Sequence, residues 1–258
     1  ENAFQFGTTI RYGESLSSPV VVADTQTRND PETQALMFWR APGSSSASIF
    51  TQEERSGDGE GSRAAMERAG FAAFEAGELT GTRTSDAALV TQAELDAAAT
   101  ETPVDPSPTE GNVGYAGSLT LNVGSAAGEP QRVEFGGSLT DAVIVLTGST
   151  SEYNDPYTLR VVDRDATGFS FVVDGWEYQS GLKSRTETVN WVAVSAGVHE
   201  LEDGRIIEAG TVLADQSSGS VAFTADFGVQ SPVVVTSVMS SLDVTAVDSD
   251  PINVTSAG

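Results

Sequence analysis

The chain has 258 residues and no cysteine. That excludes a disulfide framework and a thiol nucleophile, and it removes the usual argument from cysteine usage to redox compartment. Lysine occurs once, at Lys183, and histidine once, at His199. A lone histidine cannot complete a histidine metal cluster, and no serine lies in a G-x-S-x-G pattern. In "AGVHELEDG" His199 reads as a solvated residue of a turn rather than a catalytic base. No stretch of eighteen apolar residues occurs, nor a basic segment leading into an apolar run, so membrane insertion is not expected and no signal peptide is visible. The first residue is Glu1 rather than methionine, and localisation is not legible there.

Positive charge is also scarce: 13 Lys and Arg stand against 37 Asp and Glu, for a formal net charge of -24. Such a chain repels phosphate backbones and has no basic patch to offset this, which argues against nucleic acid as a partner. Strong acidity with almost no lysine suits a protein kept soluble in salty surroundings, where counterions screen its self-repulsion. With so many carboxylates, close pairs arise by chance, and none signals glycoside hydrolysis. The glycine-dense "SGDGEGS" at 56–62 lacks the lysine of a phosphate loop and carries Asp58 and Glu60, so it reads as an acidic loop. No constellation supports an enzyme.

What the sequence has is repetition. "TETVNWVAVSAG" at 186–197 lies over "MERAGFAAFEAG" at 66–77, placing Glu187 on Glu67, Trp191 on Phe71, Ala193 on Ala73 and Gly197 on Gly77. Independently, "VEFGGSLTDAVIV" at 133–145 lies over "IRYGESLSSPVVV" at 10–22 at nearly the same shift. A shared "NDP" occurs at 29–31 and 154–156, and "FQFG" at 4–7 matches "LNVG" at 121–124. A third beginning, "VAFTADFGVQSPVVV" at 221–235, restores "SPVVV", but no counterpart of "WVAV" follows it. Two full units and one half unit result.

Within the second unit the runs "RVEF", "AVIVLT", "TLRVVD", "FSFVV", "ETVNWVAV" and "RIIEAGTVL" are rich in β-branched and aromatic residues and are separated by Gly, Asp, Asn and Ser. The expected fold class is all-β, with tandem antiparallel β-sandwich domains joined by a Pro-rich linker. The domains are a first sandwich over 1–82, a linker with a short helix over 83–112, a second sandwich over 113–215 and an incomplete third repeat over 216–258. In "ETVNWVAV" Val189, Trp191 and Ala193 share one face and Val192 and Val194 the other, which predicts a central strand covered on both sides. "SRAAMERAGFAAFEAGEL" at 62–79 has helical propensity, but its alignment with that strand predicts strand. Between the units, "TQAELDAAATE" at 91–101 carries a capping box and predicts the short helix, and three prolines follow in 102–112.

Gly168-Phe169, Trp176 seven residues later, and "WVAV" at 191–194 resemble the H-type lectin domain, a small β-sandwich that binds sugars in some agglutinins. The array, with acidic loops such as 53–70, also resembles modules of large secreted calcium-dependent adhesin-like proteins of marine bacteria. The resemblance implies a secreted or cell-surface adhesion module that binds glycans or cell-surface polysaccharide. The first unit departs from it, having no "GF" and Phe71 in place of Trp191.

The candidate sugar site is "DGWEYQ" with a nearby cation: Asp174, Trp176, Tyr178 and Arg185. Aromatic faces stack on the apolar face of a sugar, while carboxylate and guanidinium groups bond its hydroxyls. Trp176 equally suits a plug at the end of the core. Asp163 and Asp165 in "DRDATG" offer oxygen ligands at alternate positions, as Ca2+ takes, although an acidic turn has the same sequence and no cofactor is required. The alternative function is a structural extracellular repeat that spaces or polymerises an assembly without a ligand. The half unit would expose apolar edges unless a longer array or homotypic strand exchange in an oligomer completes it.

Overall fold

The computed structural model describes residues 7–29, 34–53, 67–85, 90–91, 109–152, 155–212, 220–228 and 232–240, with 246, 249, 251–252 and 254–255 beyond them. The described chain is nearly all β. Its strands are β1 (Thr8–Arg11), β2 (Pro19–Thr25), β3 (Gln34–Trp39), β4 (Ser46–Glu53), β5 (Ala69–Glu75), β6 (Gly77–Ser85), β7 (Val90–Thr91) and β8 (Thr109–Asn122). They continue as β9 (Gln131–Glu134), β10 (Ala142–Thr150), β11 (Tyr157–Asp165), β12 (Gly168–Gly175), β13 (Thr186–Ser195), β14 (Gly197–Leu201), β15 (Ile206–Ala209) and β16 (Val221–Ala222). One turn of helix, α1 (Val123–Ala126), follows β8, with Asn122 accepting the Ser125 amide as its cap.

Nine strands form one sheet in the order β1-β4-β3-β10-β13-β8-β6-β14-β15. Beside it lie a three-stranded sheet, β11-β12-β9, and two ribbons, β2-β5 and β7-β16. The expected central strand is β13, which runs between β10 and β8. Its Val189, Trp191 and Ala193 pack with Phe169, Phe171 and Phe135 on one side, while Val192 and Val194 pack with Val20, Val22 and Phe74 on the other.

The helix-prone segment of the first repeat is strand over Ala69–Glu75 and again from Gly77. β5 pairs with β2 over seven positions, from Pro19↔Glu75 to Thr25↔Ala69. Local propensity amounts to a few tenths of a kcal/mol per residue and yields to burial of Phe71 and Phe74 between layers. The turn out of β5 is made at Gly77 (φ +133°) and that out of β13 at Gly197 (φ +127°), two matched positions where a side chain would be strained.

The sequence repeat reappears in the hydrogen-bonding register. Val20↔Phe74, Val21↔Ala73, Val22↔Ala72 and Ala23↔Phe71 in the β2-β5 ribbon correspond position by position to Val143↔Val194, Ile144↔Ala193, Val145↔Val192 and Leu146↔Trp191 in β10-β13. The strands β1-β4-β3 at one end of the large sheet correspond to the sheet β9-β12-β11 in the same way, with Ile10↔Ala47 matching Val133↔Phe169 and Phe38↔Ile49 matching Val161↔Phe171. In each repeat the opening and closing strands turn one face to three further strands of the same repeat. Val21 and Ala23 meet Phe38, Ala47 and Ile49, and Ile144 and Trp191 meet Val161, Phe169 and Phe171. The opposite faces of these two strand pairs pack on each other.

The repeats are also hydrogen-bonded together. β3 of the first pairs in parallel with β10 of the second at Ser149↔Phe38, and β6 of the first runs between β8 and β14 of the second. Of the stretch expected as linker, residues 83–85, 90–91 and 109–112 are strand: β6 and β8 continue pairing as far as Arg83↔Thr109, Ser85 pairs with Val198 of β14, and Val90–Thr91 pair with β16. Residues 92–108, which hold most of the predicted helix and the prolines, lie outside the described residues.

Residues 232–240 extend this scheme to a third repeat. The amide of Ala23 donates to Thr147 Oγ1 at 3.0 Å, that of Leu146 to Ser237 Oγ at 2.9 Å, and that of Thr236 to Asp24 Oδ2 at 2.9 Å. Ala23, Leu146 and Thr236 are equivalent positions of the three repeats, and Asp24, Thr147 and Ser237 are the positions that follow them. The two opening strands and the segment 232–240 therefore bind one another in a closed cycle. Val235 joins the opening and closing strands of the first two repeats in the central cluster, and the Val161 amide of β11 donates to the Val238 carbonyl at 2.9 Å.

Candidate functional site

Asp174 and Trp176 flank Gly175, the last residue of β12, which lies opposite Tyr157 at the start of β11. The loop over 176–185 then folds back onto the end of β8. The Asn122 side chain donates to Ser184 Oγ at 2.8 Å, and the Val123 amide donates to the Arg185 carbonyl at 3.0 Å. The approach is close enough that a side chain at Gly124 would meet the backbone of 182–184 at under 3 Å.

Arg185 belongs to a buried charge cluster. Its guanidinium pairs with Asp155 through Nη1, donates from Nη2 to the Asp155 carbonyl at 2.9 Å, and pairs through Nε with Glu187 at 2.9 Å. It also lies over the Tyr157 ring, 5.7 Å from the centroid. Glu187 accepts in addition from the amide and hydroxyl of Ser151 at 2.8 and 2.9 Å. In the first repeat Glu67 has the same place, accepting from Thr27 Oγ1 at 2.5 Å and the Asn29 amide at 2.6 Å. Both carboxylates fasten the chain leaving the opening strand to the start of the closing one, so the earliest sequence match, Glu187 on Glu67, marks a structural clasp. Asp155 was not singled out in the sequence; the shared "NDP" was the available signal.

Asp174 is half-buried and pairs with Arg160 at 2.8 Å. Burial raises its pKa above the ordinary carboxylate range, and the Arg160 charge opposes that rise. Trp176 is 8% exposed, and its amide donates to Gln179 Oε1 at 2.7 Å, closing the turn. Tyr178 is 42% exposed. Of the four predicted residues, Tyr178 is the most exposed, whereas Asp174 and Arg185 are bound to partners of opposite charge and Trp176 is buried.

Asp165 accepts from the amide and hydroxyl of Thr167 at 2.7 and 2.8 Å and pairs with Arg132 at 2.9 Å, and these bonds hold its carboxyl well below the usual range. Asp163 is exposed on β11. Among the described residues, no group of three or more His, Asp or Glu side chains is arranged to hold a metal ion.

The structure corrects the reading of His199. It lies on β14, paired on one side with β6 and on the other with β15, and is 0% exposed, with its Nε2 2.7 Å from the Ser195 carbonyl. The short acidic turn that suggested solvent begins only after Leu201. An open groove of about 250 Å3 runs nearby, lined by Thr84, Ser85, Val198, Glu200, Ile206 and Asp226 among others, with no aromatic ring. Among the described residues, no helix is long and apolar enough to cross a membrane. Comparison of the chain with family models, with curated proteins and with solved structures finds no match.

Proposed function

We propose that the chain is a structural module of a secreted or cell-surface repeat protein, built from tandem β-sandwich units whose task is to assemble on one another. The observation that carries this reading is the closed cycle of hydrogen bonds from Ala23 to Thr147, Leu146 to Ser237 and Thr236 to Asp24. It uses one equivalent position from each repeat and buries their apolar faces together. The acidic surface keeps such an assembly soluble in salt. The groups that would have served a sugar are largely engaged internally, so a carbohydrate-binding role toward glycans or cell-surface polysaccharide rests on Tyr178.

A glycan array probed with the chain, run alongside denaturant unfolding, tests this. The structural role expects no saturable retention and a single cooperative transition. Retention that Tyr178→Ala abolishes without moving the unfolding midpoint would establish sugar binding instead.

A further inference from the structure

In the first two repeats the opening strand is zipped antiparallel to a closing strand, β2 to β5 and β10 to β13. The third opening segment, residues 232–240, has no such closing strand among the described residues. Gln26 bonds both backbone groups of Val234, with Nε2 to its carbonyl at 2.7 Å and Oε1 to its amide at 3.1 Å. Asp24 fixes Thr236, Ser237 holds the Leu146 amide, and Val238 accepts from Val161. These contacts come from the first and second repeats. Among the described residues, no strand pairs with the segment where β5 and β13 pair with its equivalents. The exposure agrees: Val20 is fully buried, whereas its equivalent Val233 is 51% exposed.

We propose that residues 232–240 form a seat for the closing strand of another copy of this repeat, added antiparallel by β-augmentation. The proposal rests on the structural reading above and deepens it by naming the partner. The occupant is specified by register. By equivalence with Val143↔Val194 and Val145↔Val192, an incoming strand of the β13 type places its Val194 opposite Val233, its Val192 opposite Val235 and its Trp191 opposite Thr236. Its Ala193 and Trp191 then lie opposite Val234 and Thr236, as Ala73 and Phe71 lie opposite Val21 and Ala23. An unrelated apolar strand lacks this alternation. The seat is already positioned, so the ordering cost falls mainly on the incoming strand.

The test uses the 258-residue chain and a labelled peptide, TETVNWVAVSAG, copied from 186–197, followed by fluorescence anisotropy. Saturable binding about tenfold or more tighter than a scrambled peptide is expected. Because the chain has no cysteine, register is read directly. A Val233→Cys chain should form a disulfide with a peptide carrying Val194→Cys, and Val235→Cys with Val192→Cys, but Val233→Cys should not couple with Val192→Cys. A Val143→Cys chain should stay uncoupled, since β13 already occupies that place. Equal affinity for the scrambled peptide, coupling out of register, or coupling at Val143 would overturn the seat. If binding fails while unfolding stays cooperative and no glycan is retained, the seat is lost and the structural role stands; glycan retention sinks that role independently.

Discussion

The Asp24 carboxylate accepts two hydrogen bonds from Thr236, one from the amide at 2.9 Å and one from the hydroxyl at 2.8 Å. At the other two junctions of the cycle a neutral hydroxyl, that of Thr147 or Ser237, does the equivalent work. The junction between the third repeat and the first is therefore the charge-assisted one. Hydrogen bonds to a charged group contribute about 1.5–3 kcal/mol each. Asp24→Ala should release residues 232–240 while β2-β5 stays paired. Hydrogen exchange is the measurement: the Thr236 amide should lose protection by about tenfold or more, and unchanged protection would mean that the carboxylate does not hold the segment.

Removing one member of a buried charge cluster leaves its partners uncompensated. Arg185 sits between Asp155 and Glu187, all three largely out of solvent. Arg185→Ala should therefore destabilise the protein by about 3–5 kcal/mol. Tyr178→Ala, at a residue 42% exposed, should cost much less than that, about 1 kcal/mol or below. Denaturant midpoints of the two variants decide whether this loop is fold or surface, and a near-neutral Arg185→Ala would return it to the list of ligand groups.

Alkaline pH should weaken the fold. Burial raises the Tyr157 hydroxyl far above its ordinary value of 10.0, with the Glu187 charge adding to the rise and Arg185 opposing it, and burial pushes Tyr12 up to about 12. The unfolded chain releases these protons near pH 10 while the folded one keeps them, so the native state binds more protons there. Stability is then steady below pH 10 and falls as pH rises from 10 toward 12. Tyr157→Phe should flatten the fall and cost about 1 kcal/mol at neutral pH, the value of its bond to the Ser149 carbonyl. Unfolding midpoints at about pH 9 and about pH 11 give the slope, and an unchanged slope in the variant would remove Tyr157 as its source.

Asn190 is 1% exposed on β13, and neither atom of its side-chain amide has a hydrogen-bond partner among the described residues. Its equivalent in the first repeat is Gly70, which has no polar side chain to satisfy. A buried unsatisfied amide costs about 1–3 kcal/mol, more than the packing lost on truncation to a methyl. Asn190→Ala should raise stability by about 1 kcal/mol, seen as a higher denaturant midpoint with the same slope. A lower midpoint would show that the amide has a partner in solution.

The sequence by itself determined the β class and the repetition. Alternation in "ETVNWVAV" marks a strand buried on both faces because side chains alternate across a strand, and matched blocks around Val20 and Val143 share one register because the same apolar spacing must meet the same partner strand. Even the helix-prone "AGFAAFEAG" was legible as strand once laid over its copy. The site was legible only as a set of residue types. Whether Trp176 stacks on a ligand or fills the core, and whether Arg185 meets a hydroxyl or Asp155, depends on where 176–185 folds back, and that is set by contacts with Asn122 and Val123 far away in the chain. His199 was misread for the same reason: burial is decided by the strands laid on either side, and β6, which lies against it, comes from the other repeat. The cycle of Asp24, Thr147 and Ser237 was beyond any local pattern, since three small polar residues become equivalent only when three repeats turn their apolar faces onto one another.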